Sequence, residues 1–392
     1  MKIIQTPVRF YPFIGGVEQY VYYISKQLAM YDNCEVKVIC AKQPENTPTN
    51  QIYDNISIKR LKYYGKIANT NITPSLPRTL LSENFDIVHT HIPTPWSSDW
   101  SNIISRIKNK PLVVTYHNDI IGNGFANTIA NIYNKTALKF LLNKADKIII
   151  TQDNYIKSKH LQNYKDKITT IPNGVDSSLF KPNNTKRQKN QIFFLSVLDK
   201  FHKYKGLDYL LEALVYVKKE IPTVKLVVGG KGELLDFYKE KTHELELEDN
   251  VEFKGFLSDS DVIENYANSE LFILPSISSL QEGFGIVVLE ALSCKTPVIS
   301  TDIVGVADDV IKTNSGIIIP PKDTQALTNA IIKILTDDNL KHNMGENGRK
   351  LIQQKYEWSE IAKSIYELYE ELLWKYVILQ ISIHHMFLVV QK

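Results

Sequence analysis

Two glutamates lie eight residues apart around a glycine-rich turn, in the segment Glu282-Gly-Phe-Gly-Ile-Val-Val-Leu-Glu290. The segment follows an apolar, strand-like run at 270–274, and the residues after the turn predict a helix. Backbone N–H groups at the start of that helix, at Phe284 and Gly285, could bind an anion. A carboxylate on each side of the turn could accept hydrogen bonds from separate hydroxyls of one ligand. The segment therefore predicts a site for a polar, hydroxyl-rich molecule.

A basic loop is the second candidate, with the sequence Leu198-Asp-Lys-Phe-His-Lys-Tyr-Lys-Gly206. It leads from a predicted strand into a predicted helix. Lys200 and Lys205, beside a glycine at a helix start, suit a diphosphate, because cations and helix N-termini both stabilise phosphate charge. A solvated basic loop with no ligand remains an alternative.

The first half of the chain contributes a glycine pair and a histidine. Gly15 and Gly16 precede a helix predicted at 17–30, where the backbone can approach a ligand closely. His117 follows a strand predicted at 111–116, and open α/β sheets bind ligands at the carboxyl ends of their strands. Its ring could accept a proton or bind a substrate hydroxyl. A structural turn and a buried, hydrogen-bonded histidine are the alternatives.

No metal site is predicted. His89 and His91 are two residues apart in one predicted strand, so their side chains lie on the same face, and with His117 they could form a set of three metal ligands. No Asp or Glu lies at a spacing that supports such a metal site. Asp259-Ser-Asp261 resembles a D-x-D metal motif, yet it opens a predicted helix, where N-capping explains it better. The three cysteines include no C-x-x-C pair and are too few for a disulfide framework.

The composition is that of an ordinary globular protein. The chain has 392 residues, of which 43% are hydrophobic and 23% charged, and this excludes a disordered, collagen-like or multi-span membrane protein. Short β-branched runs alternate with amphipathic stretches, which indicates βαβ units and parallel sheets. Strands are predicted at 35–40, 86–90, 111–116, 146–150, 191–196, 224–228, 251–254, 270–274 and 297–300.

The turn and polar residues at 173–190 predict a linker between two doubly wound α/β domains, 1–172 and 191–355. A helix predicted at 356–375 has one apolar face, formed by Ile361, Ile365, Leu368 and Leu372. The tail at 376–392 is apolar, with 11 hydrophobic residues among positions 376–390. It is shorter than a spanning helix of about 20 residues, so packing on the protein and contact with a membrane interface both stay open.

Charge is unevenly distributed along the chain. Residues 1–180 carry 21 Lys and Arg against 13 Asp and Glu, whereas the remainder carries 25 against 30. A basic first half suits anionic lipid or an acidic substrate, although scattered solvated lysines give the same count. The first residues lack the long apolar core of a signal peptide, so a cytoplasmic protein is expected.

In this order the motifs resemble the retaining glycosyltransferases of family 4, the group 1 glycosyl transferases with the GT-B fold. The resemblance spans nearly the whole chain, and the two-glutamate segment is its most specific part. It implies two Rossmann-like domains facing a cleft, with a C-terminal helix crossing back to the first domain. It also implies that the second domain holds a nucleotide sugar and the first domain holds an acceptor.

The resemblance assigns roles to individual residues. It places His117 beside the donor sugar, Glu282 on the sugar hydroxyls, Glu290 on the ribose and the backbone around Phe256 at the base. The family usually has an arginine on the diphosphate, but here the corresponding stretch is Ser-Val-Leu at 196–198. Lys200, together with the neighbouring lysine of the basic loop, could supply the missing charge, although lysine lacks the guanidinium fork.

The expected function is therefore retaining transfer of a hexose-type unit from a UDP- or GDP-linked sugar to a lipid-linked or glycan acceptor. No metal, cofactor or nucleic acid is expected, and the protein is expected in the cytoplasm or on the inner face of the cell membrane. Front-face attack and double displacement both remain open. A sugar-nucleotide epimerase of the same fold and a non-catalytic nucleotide-sugar-binding subunit are the alternatives, whereas no separate phosphate motif supports a phosphorylase.

Overall fold

The computed structural model describes residues 1–13, 15–67, 70–120, 125–183, 187–279 and 281–390. Within these ranges the side chains at 125, 126, 154, 157 and 379–390 are not described. The chain forms two compact units. The first comprises Met1–Asn173 and Trp358–Lys392, and the second comprises Gly174–Glu357.

The first unit is built on an eight-stranded sheet with the order β10-β9-β8-β7-β1-β2-β4-β3. All neighbours pair in parallel except β3 and β4. A separate antiparallel pair is formed by β5 and β6. The strands are β1 Lys2–Thr6, β2 Glu35–Ala41, β3 Asn50–Tyr53, β4 Ile56–Leu61, β5 Lys66–Ile67, β6 Thr70–Asn71, β7 Ile87–Ile92, β8 Leu112–Tyr116, β9 Lys147–Ile150 and β10 Ile168–Thr170.

Helices cover both faces of this sheet, because its central strands are apolar on both sides. The helices of the first half of the chain are α1 Gly16–Leu28, α2 Leu76–Ser82, α3 Pro95–Ile107, α4 Phe125–Tyr133 and α5 Lys139–Lys144. A π-helical segment, Asn134–Leu138, joins α4 to α5.

The second unit has a six-stranded parallel sheet with the order β13-β12-β11-β14-β15-β16. This is the doubly wound order, in which the direction of winding reverses between the first and fourth strands. The strands are β11 Gln191–Leu195, β12 Lys225–Gly229, β13 Val251–Gly255, β14 Leu271–Leu274, β15 Val298–Thr301 and β16 Gly316–Ile319. The helices are α6 Leu207–Glu220, α7 Leu235–Glu244, α8 Asp259–Asn268, α9 Ile286–Ser293, α10 Ala307–Thr313, α11 Thr324–Thr336 and α12 Asp338–Leu351.

The last helix, α13 (Trp358–Val390), belongs to the first unit. Its predicted apolar face is buried against α1 in the core cluster that contains Tyr20 and Ile24. The sequence predicts a helix at 356–375 followed by a separate tail at 376–392, whereas α13 continues without a break from Trp358 to Val390. Among the described residues, no helix is both long and apolar enough to span a bilayer. The tail at 376–392, for which the sequence leaves two roles open, lies largely outside the residues whose side chains are described.

All nine strands predicted from the sequence are confirmed within about two residues of their ends. The sequence analysis missed β3 and β4, where charged and polar residues alternate with apolar ones near the edge of the sheet. It also missed β10 and β16, which are short edge strands. Edge strands are harder to recognise from sequence, because only one side of the backbone is hydrogen-bonded to another strand and the other side is hydrogen-bonded to water.

Of the segment assigned to a linker, 173–190, the described residues 174–183 and 187–190 belong to the second unit. Arg187 donates hydrogen bonds to Thr296 Oγ1 at 2.8 Å and to the carbonyl of Cys294 at 2.9 Å. Arg349 donates to the carbonyls of Ser177 at 3.0 Å and Phe180 at 2.9 Å. Two guanidinium groups therefore anchor this segment, which composition alone does not reveal.

Candidate active site

The carboxyl ends of β11 and β14 lie side by side, because these two strands are paired at the centre of the second sheet. The strand order reverses here, and ligands of open α/β sheets bind in the crevice at such a switch point. The loop after β11 carries Lys205, and the loop after β14 carries Glu282. The two side chains meet although 77 residues separate them in the sequence. The switch point thus brings together two of the predicted site residues.

Glu282 is held by donors on both carboxylate oxygens. The Lys205 ammonium lies 3.0 Å from Oε1 and 3.0 Å from Oε2. The backbone N–H of Gly283 donates to Oε1 at 3.1 Å, and the Ser276 hydroxyl donates to Oε2. The Glu282 side chain is 2% exposed and that of Lys205 is 17% exposed. A buried carboxylate and a cation are thereby fixed in one orientation at the strand ends.

Two glycines allow these loops to take their shape. Gly206 has φ +81°, and a Cβ atom there would lie 2.0 Å from the carbonyl oxygen of Pro275. Gly285 has φ +83°, and a Cβ atom there would lie 2.4 Å from the side chain of Val304. Both positions have a left-handed backbone and no space for a side chain. The glycines that close the two sequence motifs are therefore required by the local fold.

Glu290 lies in the second turn of α9, and its carboxylate accepts a hydrogen bond from the Tyr266 hydroxyl at 2.8 Å. Burial raises the pKa of Glu290 to about 7, and the nearby Asp259 raises this pKa further, whereas the hydrogen bond from Tyr266 lowers it. Tyr266 is itself buried, with its ring edge-on to Phe193 and Phe272. A rigid aromatic cluster thus orients the second carboxylate of the motif.

Phe284 does not present its side chain to a ligand. The ring is 6% exposed and packs in the core cluster with Val288 and edge-on to Tyr356 at 5.8 Å. Only backbone groups of Phe284 and Gly285 could therefore reach an anion, which is the role that the sequence predicts for this helix start.

The remaining predicted donor residues of the second unit are exposed. Phe256, just after β13, is 72% exposed, and the Lys231 ammonium lies 5.1 Å from its ring centroid. Lys200 is exposed in the loop after β11, where Asp199 accepts hydrogen bonds from the backbone and ring of His202. Val197, at the place of the missing arginine, is 49% exposed. An exposed aromatic ring at the strand ends could stack on a planar base.

In the first unit, α1 begins at Gly16, which is exposed, directly after the extended residue Gly15. A Cβ atom at Gly15 would lie 2.4 Å from a carboxylate oxygen of Glu18. Glu18 is buried and accepts a hydrogen bond from the Arg9 guanidinium at 3.1 Å. The adjoining Ile14 lies outside the described residues. The glycine pair thus gives a helix start with an accessible backbone.

His117 lies just beyond β8, where its backbone N–H donates to the carbonyl of Ile92 at 3.0 Å. Its Nε2 lies 3.3 Å from Nδ1 of His91. The ring of Tyr20, on α1, packs edge-on against the His117 ring at a centroid distance of 4.8 Å. Burial lowers the pKa of His117 to about 3. The imidazole is therefore neutral at physiological pH and fixed by its neighbours.

The two segments considered for metal binding have other structural roles. Ser258 caps α8: its hydroxyl accepts from the backbone of Asp261, whose carboxylate accepts from the backbone of Ser258. This confirms the helix-start interpretation of the D-x-D segment. The rings of His89 and His91 stack at 4.6 Å. In the part of the chain that the structure describes, no three His, Cys, Asp or Glu residues are grouped as metal ligands.

The sequence analysis missed two residues of the second-unit site, Tyr266 and Ser276. Tyr266 is a single aromatic residue in a short polar helix, which gives no periodic signal. Ser276 follows the strand that precedes the two-glutamate segment, and a serine next to a buried strand end indicates a side chain that must find a partner.

Two family models match adjoining parts of the chain. The model described as Glycosyltransferase Family 4 matches residues 14–179, and the model described as Glycosyl transferases group 1 matches residues 176–351. The chain belongs to the family 4 glycosyltransferases. The resemblance of the sequence motifs to this family is therefore confirmed.

The enzyme is also similar to characterised relatives along nearly its whole length. It is 27% identical to O-antigen chain mannosyltransferase C of Escherichia coli, over 95% of this chain and 99% of the relative. It is 24% identical to the phosphatidyl-myo-inositol mannosyltransferase of Mycobacterium leprae, over 91% and 93%. HepE of Anabaena, solved with UDP, has a TM-score of 0.74 at 20% identity, over 95% of this chain and 100% of that one. The fold is GT-B, as expected.

Proposed function

We propose that this glycosyltransferase moves a hexose-type unit from a UDP- or GDP-linked sugar to a lipid-linked or glycan acceptor, with retention of configuration and without a metal. The observation that carries the proposal is the Lys205–Glu282 pair at the switch point of the second sheet. A partly exposed cation next to a buried carboxylate matches a substrate with an anionic leaving group and a hydroxyl-rich sugar. The UDP in the HepE structure and the mannosyltransferase names of the two relatives support this class of donor.

The roles proposed for the site residues follow from the charges that develop on the leaving group and on the sugar during transfer. When the glycosidic bond breaks, the nucleoside diphosphate leaves with negative charge, and fixed donors in a dry site stabilise that charge. Lys205 and the backbone at the start of α9 supply such donors, and Lys200 is proposed as a further cation. Glu282 accepts hydrogen bonds from sugar hydroxyls and stabilises positive charge that develops on the sugar. His117, neutral at physiological pH, accepts a hydrogen bond from a hydroxyl of the donor sugar.

The test is a screen of UDP-, GDP- and ADP-linked sugars by thermal stabilisation and donor hydrolysis. A ligand at about 100 times its dissociation constant adds about 2.7 kcal/mol to the stability of the folded enzyme. We expect one nucleotide class to stabilise the enzyme and to be hydrolysed equally well with and without EDTA. Activity that EDTA abolishes and manganese restores contradicts metal independence. Conversion of the sugar without loss of the nucleotide indicates an epimerase, and binding without any turnover indicates a non-catalytic subunit.

The raised pKa of Glu290 gives a prediction about pH. We propose that its carboxylate binds the ribose, and protonation removes an acceptor, so nucleoside diphosphate affinity should fall as pH drops below about 7. Tyr266→Phe should move this midpoint to higher pH, because the lost hydrogen bond favours the charged form. Isothermal titration calorimetry between pH 5.5 and 8.5 measures both effects. Glu290→Gln is the matched control and should bind with no such pH dependence; a midpoint that it retains assigns the titration elsewhere.

We also propose that the first unit docks on an anionic membrane surface that carries the acceptor. A docking face lies on α3, α4, α5 and the π-helical segment between α4 and α5, where exposed apolar side chains are accompanied by exposed basic ones. Arg106 lies 5.7 Å from the ring of Phe140, and the Tyr133 hydroxyl donates to Asp99 at 2.8 Å, so these helices are in contact. Residues 125–144 contain no Asp or Glu. The face comprises Ile103, Ile107, Ile129, Ile132, Phe140, Arg106, Lys135 and Lys139.

Vesicle sedimentation tests this docking face. Each basic side chain near an anionic bilayer contributes about 1 kcal/mol, so Lys135→Gln/Lys139→Gln should weaken binding roughly 30-fold at low salt. Ile132→Ser/Phe140→Ser should weaken it at every salt concentration, because the apolar contribution is not screened. Ile311→Ser, at an exposed apolar position of the second unit, is the control. Equal binding to neutral and anionic vesicles, or no effect of either double variant, contradicts the proposal.

A further inference from the structure

A row of buried polar side chains runs across the first sheet and ends at His117. Gln5 on β1 pairs in register with His89 on β7, and His91 lies two residues further along β7 on the same face. Gln5, His89 and His91 are each 0% exposed. Buried polar groups at the centre of a sheet require partners, and here they satisfy one another.

The direction of the hydrogen bonds follows from Gln5. Its amide oxygen lies 2.9 Å from Nε2 of His91 and can only accept, so His91 donates from Nε2. A neutral imidazole has one N–H group, and Nδ1 of His91 is therefore an acceptor. It lies 3.3 Å from Nε2 of His117, which must be the protonated nitrogen of that ring. Nδ1 of His117 is left with a free lone pair.

The other end of the row is also complete. The amide nitrogen of Gln5 lies 3.3 Å from the Tyr369 hydroxyl and 3.4 Å from Nδ1 of His89. The Tyr369 hydroxyl donates to the same Nδ1 at 2.6 Å, and Nε2 of His89 donates to Thr115 Oγ1 at 2.7 Å. Every side-chain N–H group of Gln5 and His89 thus meets an acceptor, and Tyr369 connects α13 to the row.

The three imidazoles are neutral. Burial lowers the pKa of His89 and of His117 to about 3 and lowers that of His91 well below its ordinary value. Neutral histidines have defined tautomers, and the hydrogen bond at one ring nitrogen decides which nitrogen carries the proton. A single amide thus determines the proton position on two successive rings.

We propose that Gln5 is a positioning residue that sets the tautomer of His117, so that Nδ1 of His117 is presented as a hydrogen-bond acceptor. What Nδ1 accepts rests on the proposed function, in which a donor-sugar hydroxyl lies beside His117. The tautomer itself does not depend on any substrate. Gln5 acts through His91 and touches no reacting atom.

Nitrogen-15 NMR of the histidine-labelled enzyme at neutral pH, without substrate, tests the tautomer directly. We expect His117 to show a protonated Nε2 and an unprotonated Nδ1. Gln5→Met, which keeps the volume but removes both amide groups, should give a mixture of tautomers at His117. Thr6→Val is the matched control, because it removes a buried hydroxyl of the same strand that bonds to Ser101 Oγ at 2.8 Å and to the backbone carbonyl of His89 at 3.4 Å rather than to a side chain of the row. It should leave the His117 signals unchanged.

Kinetics provide the second readout. Losing a neutral hydrogen bond costs roughly 3- to 10-fold, so Gln5→Met should lower kcat by that factor, with donor KM nearly unchanged. Tyr369→Phe is a milder variant for the case in which Gln5→Met does not fold, and it should shift the His89 signals first. A protonated Nδ1 or an imidazolium at His117 in the wild-type enzyme overturns the proposal, as does an unchanged His117 tautomer in a folded Gln5→Met enzyme. The expected tautomer in an inactive enzyme counts against the proposed function but not against the role of Gln5.

Discussion

Glu282→Gln is expected to lower turnover by roughly 100-fold or more, while affinity for the free nucleoside diphosphate changes by no more than about threefold. Glutamine keeps the size of the side chain but removes the negative charge that we propose faces the donor sugar. It also leaves the Lys205 ammonium without its ionic partner. Because the free nucleotide has no transferred sugar, we expect its binding to depend only weakly on the Glu282 carboxylate, through the Lys205 ammonium that this carboxylate contacts. Steady-state kinetics and calorimetry with the nucleotide measure the two effects separately.

Glu264→Gln, at an exposed position of α8, is the matched control and should retain wild-type turnover. Thermal unfolding of Glu282→Gln should show a folded protein with a lower melting temperature, because breaking a buried ion pair leaves an uncompensated charge. Wild-type turnover in a folded Glu282→Gln enzyme removes this residue from the site. A large loss of nucleotide affinity at unchanged kcat reassigns it to nucleotide binding.

Lys200→Ala is expected to lower donor affinity and turnover together, by roughly 10- to 150-fold in kcat/KM. The structure pairs Lys205 with Glu282 and leaves Lys200 exposed, so Lys200 is the cation of this loop that we propose in place of the missing arginine. A change of roughly 10- to 150-fold corresponds to the free energy of one hydrogen bond to a charged phosphate group. Initial rates over a range of donor concentrations measure the effect.

Lys203→Ala is the control, because Lys203 lies in the same loop but its ammonium group lies over the ring of Phe237, 4.8 Å from the ring centroid. It should stay within about twofold of the wild type, the level expected of a surface substitution. Val197→Arg should restore part of the loss in Lys200→Ala, since the Val197 side chain is half exposed and a guanidinium there would not be buried. An unchanged Lys200→Ala enzyme assigns the diphosphate to Lys205 and the backbone.

Local sequence features identified much of the candidate site. Glu282 and Glu290 stand out because a glycine turn between an apolar strand and an apolar helix restricts where they can lie. His117 stands out because it follows a strand composed of buried residues. In each case the informative neighbours are within a few positions of the residue itself, which is the range over which periodicity and turn chemistry act.

The partners of these residues could not be predicted, because strand order creates them. Lys205 meets Glu282 only because β11 lies next to β14 in the sheet. Gln5 and His89 are 84 residues apart and meet because β1 pairs with β7. The glutamine in the apolar strand Lys2-Ile-Ile-Gln-Thr indicates a buried polar network, since a buried amide must have hydrogen-bond partners. The chain gives no local clue to the identity of its partner.

The position of α13 has a consequence for the order of folding. The second unit is continuous in sequence, from Gly174 to Glu357, and a parallel bridge between Val175 and Glu357 closes its two ends. The first unit needs Ile365 and Tyr369, which are 0% exposed in its core and are synthesised after the whole second unit. During translation the second unit can therefore fold while the first is still incomplete. A truncation before α13 should leave the early-synthesised half of the protein exposed to proteolysis and the later-synthesised unit protected.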